Sequence, residues 1–153
     1  MSFTWSFNLK FQEEFQRYPL DQRKSIVNFL DLYEKHGLKG DWSVYPGKMS
    51  QSWRGLLSEH PNYRYTKDNF LYHYHIGIPD YRPSANALAR YQTSDYLLHF
   101  QWEGGEHIHL VDTCAHHRWT GEFQLPAPEY LDRQKAAPEL QMAADAAGDS
   151  QAV

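Results

Sequence analysis

The chain has 153 residues, 41% hydrophobic and 16% aromatic, which suits one packed domain and excludes a disordered protein. Its apolar runs are far too short for a transmembrane helix, and the N-terminus lacks the basic-then-apolar pattern of a secretory signal. The whole formal charge of −4 falls from Glu122 onward, where six acids face two bases; residues 1–121 balance at 13 and 13 and hold all nine histidines. Such a body neither demands nor excludes a nucleic-acid partner. A single cysteine, Cys114, cannot form an internal disulfide, so a cytoplasmic location is expected. Set among strand-type apolar residues, Cys114 reads as core.

Thr4 to Phe11 alternates loosely through Trp5, Phe7 and Leu9 and predicts a first strand. Gln12 to Tyr18 reads as a helical turn. Asp21 suits an N-cap and Gly37 a C′ position for a helix of about four turns. Ile26, Phe29, Leu30 and Tyr33 would form its buried stripe. His36 falls in its last turn, where a cation is favoured without any functional role. Residues 38–69 read as a long loop with a helical piece near Trp53–Leu57. A loop that long in a compact domain is often functional.

Phe70–Ile78 predicts a second strand, Tyr91–Trp102 a third and Glu106–Ala115 a fourth, with a proline-bearing loop over 79–89. A three-residue connection Glu103-Gly104-Gly105 would set Phe100 opposite Ile108, Leu98 opposite Leu110, His99 opposite His109 and Gln101 opposite His107. That register separates an apolar face from a polar, histidine-rich one and puts Asp112 on the former. Tyr72, Tyr74, Tyr96 and Trp102 then read as core, and His73 and His99 as surface histidines. From Ala136 the chain is Ala- and Gln-rich, so 1–132 is expected to be the folded domain and 133–153 a tail.

Seven histidines gather from residue 73 onward: His73, His75, His99, His107, His109, His116 and His117. His73 and His75 share one strand face, as do His107 and His109. Imidazoles at this density suit acid–base chemistry, phosphate binding or metal ligation.

Three stretches are similar to the RelE/ParE-like bacterial toxins, most closely their YafO-like branch. Phe29–Leu38 followed by Pro46-Gly47-Lys48 and Ser50-Gln51-Ser52-Trp53 resembles the family's helix end and glycine-plus-basic loop. His73-Tyr74-His75-Ile76-Gly77 resembles the strand before its insertion. Arg90–Leu98 and the terminal His116-His117-Arg118 resemble its last strands. The resemblance spans roughly residues 5–120 and leaves Gly121–Asp132 without a counterpart.

It implies an α+β fold: a twisted antiparallel sheet of about four strands with N-terminal helices packed on one face. It also implies an endoribonuclease that cuts messenger RNA, often on the ribosome, inhibits translation, needs no cofactor and is restrained by a cognate antitoxin. Metal-free RNA cleavage needs a base for the 2′-OH, an acid for the 5′-oxygen and cations for the phosphorane. On that reading His117 is base or acid with His75 or His116 as partner, and Arg118 and Arg90 hold the phosphate. Lys48, Arg54 and Arg82 would bind flanking phosphates, and Tyr81, Tyr91 and Trp119 would stack on bases. Two rival readings come from the residues themselves: a metal enzyme built on the His-x-His pairs, or a module that binds RNA without cutting it.

Overall fold

A computed structural model describes residues 2–83 and 91–134. β1 (Thr4–Phe7), α1 (Leu9–Phe15) and α2 (Leu20–His36) come first, followed by β2 (Met49–Gln51) and α3 (Pro61–Asp68). The remaining strands are β3 (Leu71–His75), β4 (Arg82–Pro83), β5 (Gln92–Thr93), β6 (Tyr96–Trp102) and β7 (His107–Ala115). The fold is α+β, as the sequence implies. The main sheet has five strands in the order β1-β7-β6-β3-β2, and β4 and β5 pair separately.

The sheet is mixed rather than antiparallel, because β1 runs parallel to β7, with Thr4 beside His107 and Phe7 beside Leu110. Parallel neighbours need a long crossover, and here α1, α2 and most of the chain supply it. Residues 38–69 also differ from the expected loop. They contain β2 on the sheet edge and α3, whereas 52–55 form only a turn.

α2 ends at Gly37, whose φ of 63° lies in the left-handed region expected at a C′ position. Its stripe of Ile26, Phe29, Leu30 and Tyr33 is buried against the sheet. The Phe29 ring lies 4.7 Å from that of Tyr74 and 5.6 Å from that of Phe100. Each such side chain contributes about 1.5–3 kcal/mol on burial. Cys114 and Tyr72 belong to the buried set as expected, but Tyr96 is exposed.

The β6–β7 register differs from the three-residue expectation. Trp102 pairs with Ile108, Gln101 with His109 and Phe100 with Leu110, two residues along from the predicted partners. A shift of two preserves the faces, so periodicity alone does not detect it. Within the connection Gly104 takes the left-handed φ, at 94°. Between His99 and Phe100 a bulge then skips Val111 and sets His99 opposite Asp112. Asp112 therefore joins the histidine face instead of the apolar one.

That face is partly covered by the chain after β7. His117 and Phe123 form a bridge, with Arg118 N donating to Glu122 O at 2.7 Å and Gln124 N to His116 O at 3.0 Å. The strap beyond is tied to α3 by Tyr65 Oη donating to Pro126 O (2.9 Å). It meets the α1 end through Leu9 N donating to Asp132 O (3.0 Å) and Tyr130 Oη donating to Glu14 (2.6 Å). Residues 122–134 thus belong to the folded body.

Candidate active site

An open groove of about 920 Å³ lies on the histidine face between the β2–β3 edge, the α3 start and the strap. Of the sequence-derived candidates, Lys48, Arg54, Tyr91 and His116 line it. His75 borders this group, its ring 5.4 Å from that of His116. His117 touches it through Nδ1, which is 2.8 Å from His116 Nδ1.

Lys48 is fixed by backbone on both sides: His75 N donates to its carbonyl at 3.0 Å, and its own N–H donates to Gln92 O at 2.8 Å. Its ammonium sits 5.5 Å from the Tyr91 ring centre, a cation–π distance. The preceding residue has to be glycine. A Cβ on Gly47 would lie 2.0 Å from the His75 carbonyl oxygen, so only the bare backbone lets the two chains approach.

His75 Nδ1 lies 2.9 Å from both N and O of Ser94. Unprotonated, it accepts from the Ser94 amide; protonated, it donates to the carbonyl. Either way Nδ1 is occupied and Nε2 carries no partner among the described residues. Burial pushes the His75 pKa down, and Lys48 and Arg82 push the same way against the Ser94 carbonyl. His116 is lowered to about 4, first by burial and then by His117, His75 and Lys48, with Asp95 opposing. It is therefore a neutral base at pH 7. A hydrogen bond from its backbone N–H to Asp95 O at 2.6 Å fixes its position.

His73 lines the groove but is committed: Ser50 Oγ lies 3.2 Å from its Nε2 and Ser52 Oγ 2.9 Å from its Nδ1. Burial, then His99 and the neighbouring cations, holds it well below the usual imidazole range. His99 is not a surface histidine. It is fully buried, neither ring nitrogen has a partner among the described residues, and burial lowers its pKa to about 3.

Other candidates stand elsewhere. Tyr81 donates to His75 O at 2.8 Å and packs against Gly77, so it braces the turn after β3. Arg82 pairs with Asp95 at 2.6 Å. Arg118 and the 97%-exposed Trp119 sit on the hairpin beyond the groove wall. Arg90 lies outside the described residues. Sequence reasoning missed Ser50, Ser52, His60, Asn62, Glu122 and Phe123, all on the groove. Phe123 is the least obvious of them, with its ring 5.1 Å from both His73 and His116. The apolar residues Phe123, Leu125 and Tyr130 around Pro126 and Pro128 were the available signal for a packed strap.

The His-x-His pairs stand on β3 and β7, which β6 separates, so they are not on neighbouring strands. Among the described residues no three His, Cys, Asp or Glu side chains are grouped to hold a metal ion. None of the described helices is long and apolar enough to cross a membrane. Compared with known proteins, the chain matches no family model, no curated protein and no solved structure.

Proposed function

We propose that the groove is the active site of a metal-independent endoribonuclease acting on single-stranded RNA. The observation that carries this reading is the joining of His116 and Lys48 at one groove, with the buried His75 directly behind His116. Two neutral imidazoles, each with one nitrogen tied and the other free among the described residues, stand near Lys48, whose backbone is held on both sides and whose ammonium lies 5.5 Å from the Tyr91 ring centre. A groove of about 920 Å³ also falls within the roughly 300–1,000 Å³ of small-molecule sites.

In this mechanism the 2′-oxygen attacks phosphorus as the P–O5′ bond breaks, leaving a 2′,3′-cyclic phosphate. His116 takes the 2′-OH proton. Lys48 faces the phosphorane charge and protonates the departing 5′-oxygen. His75 orients the 2′-hydroxyl through Nε2, and His117 shares a proton with His116 across their 2.8 Å contact. Arg54 holds a flanking phosphate, and Tyr91 stacks on a base. Arg118 and Trp119 then act outside the groove, on more distant RNA.

The resemblance to RelE/ParE-like, YafO-like toxins extends the reading. The substrate is cytoplasmic messenger RNA, free or on the ribosome, and a cognate antitoxin restrains the enzyme by covering the groove. Incubating the purified chain with single-stranded RNA in excess chelator tests the chemistry. Discrete fragments ending in 2′,3′-cyclic phosphate are expected; RNA bound but left intact would establish a binding module instead. Induction in a bacterial host, with primer extension on a reporter transcript, tests the toxin role: growth arrest with new 5′ ends supports it, and unimpaired growth with intact transcripts removes it.

A further inference from the structure

Among the described residues Glu122 is the one acid lining the groove, and its carboxylate makes no ion pair or hydrogen bond with any of them. Its backbone is held in place. Its carbonyl accepts from Arg118 N at 2.7 Å within a hairpin closed by Gly121, whose φ is 91°. The next residue, Phe123, is a half-buried ring on the same groove, packed against His73 and His116. A carboxylate beside an aromatic platform is a base-reading arrangement, because the ring takes the base face and the carboxylate reads its edge. Cations suffice for the phosphates, so an acid in an RNA groove costs attraction unless it selects something.

We infer that Glu122, with Phe123 as platform, makes this groove selective for guanine. The inference rests on the ribonuclease reading and names its substrate preference. A carboxylate has acceptors only, and the four bases offer it different edges. Guanine presents two parallel donors, N1–H and the N2 amino group, matching both carboxylate oxygens. Adenine sets one amino group beside the N1 lone pair, which repels a carboxylate. Cytosine does the same with N3. Uracil flanks its single N3–H with two carbonyls. Only guanine is read by two bonds without a repulsive neighbour. Asn62, on the same groove, has an amide able to donate to guanine O6.

The experiment measures cleavage of the dinucleotides GpU, ApU, CpU and UpU by the full chain, with binding of guanosine, adenosine, cytidine and uridine monophosphates followed by tryptophan fluorescence. GpU should be cut, and guanosine monophosphate bound, roughly 10- to 100-fold better than the others, the usual discrimination of a bidentate base contact. Glu122→Gln should reduce that ratio to within about threefold of unity while leaving thermal unfolding unchanged, since the side chain is exposed and unpaired. Equal cleavage of all four dinucleotides by the wild type, or an unchanged ratio in Glu122→Gln, would overturn the guanine assignment and leave the ribonuclease standing. Failure to cut any dinucleotide or longer RNA would remove both.

Discussion

The two ends of the histidine face carry the same residue type in different settings. At the β1–β7 end, Thr4 Oγ1 lies 2.7 Å from His107 Nδ1, and Ser6 Oγ lies 2.9 Å from His107 Nε2 and 3.0 Å from His109 Nδ1. Cross-strand hydroxyls thus engage three ring nitrogens, and neither histidine borders the groove. At the β3 end, His75 and His116 each have one nitrogen tied and, among the described residues, one free, near Lys48. Histidine density does not make a site. A free imidazole nitrogen facing a space, with a cation near it, does.

The sharpest way to break this comparison is to truncate each end in turn. His116→Ala should lower RNA cleavage by about 10²–10⁴-fold, whereas His107→Ala should change it less than about twofold; equal losses in single-turnover assays would erase the distinction. Lys48→Ala comes next, with an expected loss of about 10²–10³-fold in kcat. Gly47→Ala should mimic part of that loss at a cost of about 1–3 kcal/mol in stability, read by urea unfolding, because its Cβ forces β2 away from His75.

The third prediction concerns stability. His73, His75, His99, His107, His109 and His116 all have lowered pKa values, so the unfolded chain binds more protons below the ordinary value of 6.5. Stability from these groups is complete above that pH and is lost as pH falls toward 4. Asp112 acts oppositely: burial, with Glu14 nearby, raises it to about 7, so its contribution is lost as pH rises from about 4 to 7. With six groups against one, the urea midpoint should fall on acidification. His99→Leu should raise stability at pH 7 by about 1–3 kcal/mol, since it removes two unsatisfied buried nitrogens, and should flatten the pH slope. Destabilisation by that change would show that His99 has a buried partner.

The smallest effect is in the rate profile. With His116 lowered to about 4, cleavage should hold within about twofold down to pH 5, where an ordinary imidazole base would be mostly protonated. An acid limb near 6.5 would place the base elsewhere, with His117 the next to test.

By itself the sequence determined what repeats locally. The 3.6-residue stripe of Ile26, Phe29, Leu30 and Tyr33 marked α2, and Gly37 marked its end. Two-residue alternation separated the Phe100–Leu110 face from the Gln101–His109 face, even with the register wrong by two. His116, Lys48, Arg54 and Tyr91, named in the sequence on the resemblance and on chemical type, are residues that line the groove. The tertiary structure decided everything that depends on distant partners. It joined β1 to β7 in parallel across the whole chain, and the bulge at Val111 brought Asp112 to His99. The approach of Gly47 to His75 set Lys48 beside the imidazoles, and the strap buried His99 and put Glu122 and Phe123 on the groove. Periodicity reports which face a residue takes. Which segment lies against that face is settled by backbone pairing and close packing between residues far apart in the chain, and no local pattern encodes it.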